Sequence, residues 1–218
     1  EQGNHREAAD LGKAGLKKPT ATGELLDATL QSLRQLGTAD QEQAEVIEAA
    51  ALAHAKKPEM LLAAGKAYLF LQHTGTLVDG VFVRGRTSDW KNRKTTELKD
   101  RVRSAQLIEA AWKSLPAEAD NALRHNVLSA LAEALNFHED DFASAWSLLH
   151  LTDLTTLPDF DDESGLDEPA SGYPVDTEGD PIFFRAAESW ESAKNDGERL
   201  LWIFQTKAKL GPEQDREA

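Results

Sequence analysis

A cluster of acidic residues in the second half of the chain is the first candidate for metal chemistry. Carboxylate oxygens suit Ca²⁺, which takes about six to eight hard ligands. The helix-loop-helix calcium pattern fails, because Gly165 would fall at loop position seven and Ala170 at position twelve. The carboxylates still allow a different kind of metal site. We therefore keep a calcium- or magnesium-dependent enzyme or binding domain that uses the acidic loop 159–180 as an alternative to the non-enzymatic function predicted below. The cluster comprises Asp159, Asp161, Asp162, Glu163, Asp167 and Glu168.

Other catalytic patterns are missing from the sequence. The chain contains no Cys, which removes thiolate metal sites, Cys nucleophiles and disulfides together. None of the six His residues belongs to a His-Glu-x-x-His zinc pattern, and no Gly-rich phosphate loop or Gly-x-Ser-x-Gly elbow is present. We therefore predict that the protein is not an enzyme and needs no cofactor.

The charges of the 218 residues are strongly segregated. The net charge is -14, and residues 125–184 contain no Lys or Arg but 14 Asp or Glu. Conversely, residues 84–103 carry eight Lys or Arg against Asp89, Glu97 and Asp100. An acidic chain without a long apolar segment is not expected to bind nucleic acid or insert into a membrane. The two blocks form either solvated faces, an internal pair in which the acidic segment docks on the basic one, or a surface for an external chain.

The elements that would position these residues are mainly helices. Apolar residues at helical spacing predict helices that begin near Gly23, near Thr38 or Asp40, and at Pro58, followed by helices at about 96–115, 117–136, 139–152 and 188–210. Two β-hairpins are predicted inside insertions at about 73–95 and 153–184, with turns at Asp79-Gly80 and around residues 178–179. Residues 1–210 are predicted to form a single domain, and residues 211–218 a flexible tail.

Small residues at repeat-like spacing suggest how the helices pack. Ser104, Ile108, Ala111 and Pro116 follow one another at steps of four, three and five, and Gly65 precedes Tyr68 by three. This spacing is typical of antiparallel helical hairpins of the tetratricopeptide type, in which small residues allow neighbouring helices to approach. The predicted fold is therefore mainly α, with tetratricopeptide-like antiparallel helical hairpins and two short β-hairpin insertions.

Six stretches along the chain look familiar when they are taken in order: residues 73–85, 100–107, 151–158, 174–183, 188–190 and 196–199. They resemble the helical N-terminal region of very large bacterial proteins of the alpha-2-macroglobulin family. The resemblance covers about residues 3–205 and implies an exported parent, periplasmic or secreted, that traps proteases. It transfers no site residue, and without Cys this chain has no thioester of its own.

Taken together, these patterns predict a non-enzymatic protein-interaction or spacer module of a larger exported protein. Its partner would be another protein or another domain of the same polypeptide. Charge segregation and the inserted loops favour a contact surface that combines the first insertion with the acidic segment. The residues predicted to form it are Phe82, Arg84, Arg86, Trp90, Asp159, Asp161, Asp162 and Glu163.

Overall fold

A computed structural model describes residues 2–36, 40–85, 92–135, 145–162 and 172–211. These residues are mainly helical, as predicted, and include a small antiparallel sheet. The helices are α1 Gln2–Leu16, α2 Gly23–Gln35, α3 Asp40–Ala53, α4 Pro58–Leu69, α5 Glu97–Ser114, α6 Asn121–Ala134 and α7 Asp196–Leu210. The strands are β1 Thr74–Val78, β2 Val81–Arg84, β3 Arg93–Thr95 and β4 Asp161–Asp162.

The chain divides into two compact units. The first comprises Glu1–Leu115 and Thr156–Gly165, and the second comprises Pro116–Thr155 and Leu166–Ala218. This grouping does not set a domain boundary, so the single domain predicted over residues 1–210 stays a prediction. Apart from Gly211, the tail predicted to be flexible lies outside the described residues.

In the first unit, the helices begin at residues that satisfy or avoid free backbone N–H groups. The Thr22 side chain accepts a hydrogen bond from the backbone N–H of Leu25 (3.3 Å) at the start of α2. Pro58 occupies the first turn of α4, where its missing N–H would have no partner. The predicted starts of these two helices are therefore confirmed.

Helices α4 and α5 pack against each other in the first unit. A Cβ atom added to Gly65 would lie 2.5 Å from Cγ1 of Ile108 and 3.1 Å from the carbonyl oxygen of Ser104. The end of α4 and the beginning of α5 are also close, because the N–H of Thr96 donates to the carbonyl of His73 (2.8 Å). The two helices therefore pack antiparallel, with a glycine at their crossing.

The sheet of the first unit has the strand order β2-β1-β3-β4, and every pairing is antiparallel. Strands β1 and β2 form the hairpin predicted for the first insertion. Its turn residues Asp79 and Gly80 have positive φ angles of 51° and 79°, which is the backbone geometry of the turn that matches strand twist. Strand β3 pairs with β1 on the other side, Thr74 opposite Thr95 and Thr76 opposite Arg93.

The second unit contains α6 and α7, which pack on each other. Asp120 caps α6 by accepting from the N–H of Leu123 (2.7 Å), and Asn195 caps α7 by accepting from the N–H of Glu198 (2.8 Å). The helix predicted over 188–210 begins only at Asp196.

One further prediction for the second unit is wrong in its described part. Residues 145–152, predicted to end a helix, form a turn and a 3₁₀ helix at Ser147–Leu149. Backbone groups of His150 and Thr152 bond Asp196 instead of continuing a helix.

The second predicted hairpin is present in a short form. Val175 and Pro181 form a single antiparallel bridge, the N–H of Asp176 donates to the carbonyl of Asp180 (2.9 Å), and the N–H of Ile182 donates to the carbonyl of Pro174 (2.9 Å). Proline has no N–H with which to extend the ladder.

Candidate functional site

The hairpin of the first insertion is fixed at its base by Arg84, the last residue of β2. The guanidinium binds the carboxylate of Asp100 through two parallel hydrogen bonds, Nη1 to Oδ2 (2.6 Å) and Nη2 to Oδ1 (2.9 Å). Nη1 also donates to the backbone carbonyl of Gln72 (2.8 Å). Arg84 is 8% exposed and Asp100 is 2% exposed, so the ion pair is buried. It joins the hairpin to the first turn of α5.

The side chains of His73 and Thr96 complete this arrangement. We call it the anchor network, and it comprises Gln72, His73, Arg84, Thr96 and Asp100. The Thr96 hydroxyl lies 2.7 Å from Oδ2 of Asp100, and Nδ1 of His73 lies 2.9 Å from the same oxygen. Burial alone would raise the pKa of the Asp100 carboxyl. Hydrogen bonds from His73, Arg84 and Thr96, together with the positive charge of Arg84, hold that pKa below its ordinary value.

His73 and Asp100 form a histidine–carboxylate pair of the kind found in catalytic sites, but the carboxylate oxygens already accept hydrogen bonds within the network. Both carboxylate oxygens of Asp100 accept from neighbouring side chains of the network. Asp100 and Thr96 are buried, whereas His73 is half-buried. What the arrangement does chemically is to satisfy a buried carboxylate and hold the hairpin in a single orientation on α5.

The acidic segment meets the first insertion at two places. The ring of Phe160 stacks on that of Phe82, with a centroid separation of 6.2 Å and an interplanar angle of 17°. Directly after it, β4 pairs with β3, so that Asp162 lies opposite Lys94 and Asp161 opposite Thr95. Of the three roles that the sequence left open for the two charged blocks, this contact corresponds to internal docking.

A second polar cluster links three helices of the first unit. Arg103 on α5 donates to both carboxylate oxygens of Glu48 on α3, and the hydroxyl of Tyr68 on α4 donates to Oε2 of Glu48 (2.8 Å). Burial opposes ionisation of Glu48, but the hydrogen bonds from Arg103 and Tyr68 lower its pKa overall. Burial and the nearby Glu48 charge raise the pKa of Tyr68. This cluster holds α3 against the α4–α5 pair.

Helices α1 and α3 flank an open groove of about 280 Å³ in the first unit. Its apolar lining includes Leu16 and Val46. The ammonium group of Lys13 on α1 reaches the carboxylate of Glu42 on α3. The groove therefore combines an apolar lining with charges of both signs.

The second unit contains its own buried arginine–aspartate pair. Nη1 of Arg199 donates to Oδ1 of Asp196 (3.0 Å) and to the carbonyl of Thr152 (2.8 Å). The N–H of Thr152 donates to Oδ2 of Asp196 (3.0 Å), and the Thr152 hydroxyl bonds the same oxygen (2.5 Å). The guanidinium lies 4.7 Å from the centroid of the buried Trp190 ring. These bonds attach the segment after the 3₁₀ helix to the start of α7.

The structure places the residues of the predicted contact surface in different environments. Phe82 is half-buried against Phe160, Arg84 is buried in the anchor network, and Asp159 is exposed. Asp161 and Asp162 form β4, which is described by its backbone pairing. Contact of these residues with a partner stays a prediction. Arg86, Trp90 and Glu163 lie outside the described residues.

Sequence reasoning missed Asp100, Thr96 and Phe160 as residues that contact the first insertion. It counted Asp100 only among the few charges that oppose the basic block. A usable signal was present, since Thr96 and Asp100 are four residues apart at a helix start, where a hydroxyl and a carboxylate share one face. Phe160 was a lone aromatic residue within an acidic run.

The alternative metal site in loop 159–180 is described only in part. Over all the described residues, no three His, Cys, Asp or Glu side chains come together in a group suited to a metal ion. Oδ1 of Asp176 accepts from the N–H groups of Glu178 (2.9 Å) and Asp180 (3.0 Å), which closes a turn. The metal alternative stays a prediction, because residues 163–171 lie outside the described ranges.

Across the described ranges, no helix has the length and apolar character required to cross a membrane. Comparisons with protein-family models, with curated proteins and with solved structures found no match.

Proposed function

We propose that this chain is a non-enzymatic protein-interaction module whose contact surface is the first insertion. The observation that carries the proposal is the anchor network. Burying an ion pair costs hydration energy, so it stabilises a fold only if both charges are well hydrogen-bonded. In some proteins a buried ion pair serves instead to specify one geometry. Here that geometry is the orientation of a short hairpin on a helix pair.

The exposed side chains of the hairpin support the same proposal. Val78, Val81 and Val83 are 53%, 65% and 41% exposed, although the hairpin has a well-bonded base. Neighbouring exposed apolar side chains are typical of contact surfaces. The groove between α1 and α3 is a second feature of the kind that helical interaction domains use.

The proposed architecture is a tetratricopeptide-like set of antiparallel helical hairpins. Its support is the glycine crossing of α4 and α5, at the positions where the repeat spacing requires small residues. The proposed context is a larger exported protein of the alpha-2-macroglobulin type, supported by the ordered stretches named above. Reading the natural gene beyond both ends of the chain tests this context. An export signal and β-rich domains would support it, whereas their absence would overturn it.

Site-specific photo-crosslinking tests the contact surface. A photoreactive amino acid is placed at Val81 in the natural full-length polypeptide, and a matched control carries it at Leu52 on α3. Both side chains are highly exposed, at 65% and 68%. We expect crosslinks to another domain or a partner protein from position 81 and few from position 52. Equal yields at both positions would contradict the proposal and favour a spacer.

A further inference from the structure

Strand β4 is a short, charged occupant of one edge of the sheet. It has two residues, Asp161 and Asp162, and within the described part of the chain it pairs with β3. Strands in proteins usually have about three to ten residues, so such a pairing provides few ladder hydrogen bonds. In the described part of the segment, the ring of Phe160 stacks on that of Phe82. A single aromatic stack adds only modestly to the stability of such a contact.

The charges of the two strands are complementary by register. Strand β3 has the sequence Arg93-Lys94-Thr95, and β4 is entirely acidic. The register puts Lys94 directly opposite Asp162, a position at which residues of unlike charge favour pairing. The edge of β3 therefore favours an acidic strand over a neutral or basic one.

We propose that the edge of β3 is a docking site for an extended acidic peptide, and that β4 occupies this site within the same chain. The preferred partner segment has an aromatic residue followed by two acidic residues, the pattern of Phe160, Asp161 and Asp162. The aromatic ring would stack on Phe82, and the backbone would add a strand to β3 by β-augmentation. This inference rests on the proposed interaction function and names the partner chemistry of the same surface.

The basic composition of the β3 edge explains how one site can pair with β4 and also bind an external acidic peptide. Lys and Arg on a free strand edge discourage pairing with arbitrary chains, because most strands carry no compensating charge. An acidic partner removes that penalty. Since the internal occupant has two residues of pairing and one ring stack, a longer acidic segment at high local concentration would displace it.

Weakening the internal strand tests its role as an occupant. The test variant carries Phe160→Ala, Asp161→Lys and Asp162→Lys, and the control carries Glu178→Lys and Asp180→Lys, which repeat the charge reversal in the turn of the second unit. Amide exchange over β3 should become about tenfold faster in the test variant and stay unchanged in the control. Unchanged exchange in both variants would overturn the proposal.

Exchanging the charges of Lys94 and Asp162 provides a second test by amide exchange, which is needed if the triple variant does not fold. Lys94→Glu alone should accelerate exchange over β3, because it places two carboxylates opposite each other. Adding Asp162→Lys should restore exchange to within about twofold of the starting protein, since opposite charges again face each other. Failure of the second substitution to restore exchange would contradict the register on which the proposal depends.

A peptide supplied in trans tests the docking site itself. The probe is a fluorescent synthetic peptide with the sequence of residues 156–165, and the control peptide carries Phe160→Ala. We expect fluorescence anisotropy to show that the probe binds to the triple variant and binds at least about tenfold more weakly to the unmodified protein. Binding to the triple variant should weaken in 1 M salt, because charges are then screened over about 3 Å. Equal binding to both proteins, or no binding to either, would overturn the inference. Failure of the proposed function is distinguishable, because it would abolish the crosslinks from position 81 while leaving this binding intact.

Discussion

Breaking the buried pair of Arg84 and Asp100 should destabilise the first unit severely. Asp100→Asn preserves the size of the side chain but removes its charge, so a guanidinium that is 8% exposed loses its counter-ion. Arg84→Met preserves most of the side-chain stem and leaves the carboxylate, 2% exposed, with His73 and Thr96 as its remaining side-chain partners. Removing one partner of a buried ion pair typically costs about 3–5 kcal/mol.

The contacts of the pair support a cost in the upper part of this range. Asp100 accepts two charge-assisted bonds from Arg84, of 2.6 Å and 2.9 Å, and such bonds contribute about 1.5–3 kcal/mol each. The sum of the two hydrogen-bond contributions exceeds the net contribution of the ion pair to stability, because both charges also lose hydration when they are buried. Since domains are stable by only about 5–15 kcal/mol, a single substitution should remove a large fraction of the stability.

Urea unfolding at neutral pH measures the effect. The matched control is Glu109→Gln, which breaks a pair with Lys113 whose side chains are 20% and 52% exposed and should cost less than about 1 kcal/mol. The double variant Arg84→Met and Asp100→Leu should be more stable than the two single costs predict, because it leaves no unpaired buried charge. If Asp100→Asn costs no more than Glu109→Gln, the anchoring role is refuted.

The pH dependence of stability provides an independent measurement. A carboxyl with a lowered pKa in the folded state contributes stability that is present above its unfolded pKa and lost as pH falls through its folded pKa. Asp100 and Glu48 both have lowered pKa values, so unfolding should become easier as pH falls below about 4. Asp100→Asn should reduce this dependence, and an unchanged pH profile would contradict the lowered pKa of Asp100.

The remaining predictions concern packing and single hydrogen bonds. Gly65→Ala should cost about 1–3 kcal/mol in urea unfolding, because its Cβ would overlap α5, whereas Gly3→Ala has open space and should cost nothing. Thr152→Val should cost about 1–2 kcal/mol through loss of the hydroxyl bond to Asp196, and an unchanged melting temperature would contradict that bond. Tyr68→Phe should cost about as much, measured as the urea midpoint, because a half-buried carboxylate loses a donor.

The parts of the fold that were predictable from the sequence depend on neighbours in the chain. The starts of α2 and α4 follow from Thr22 and Pro58, which act on the turn that immediately follows them. The first hairpin follows from Asp79 and Gly80, whose left-handed backbone favours one tight turn between two β-rich runs. In each case a local signal and a periodic apolar pattern agree.

The parts that were not predictable depend on distant partners. Strands β3 and β4 are three and two residues long and charged, so neither shows the alternation of a half-buried strand. Their pairing joins residues more than sixty positions apart. Arg84 was placed in the contact surface because of charge segregation and the inserted loop, whereas its burial depends on the approach of Asp100 across the insertion. The structure brings the two segments together at β3 and β4, and their contact with a partner stays a prediction.

Both units attach an irregular segment to the first turn of a helix through the same chemistry. Asp100 lies in the first turn of α5 and Asp196 in that of α7, where the helix dipole favours a carboxylate. In each unit an arginine neutralises the aspartate and also donates to a backbone carbonyl of the attached segment, that of Gln72 or that of Thr152. In each unit one ion pair therefore fixes an irregular segment to the start of a helix, and its loss should lower the stability of the unit as predicted above for Arg84 and Asp100.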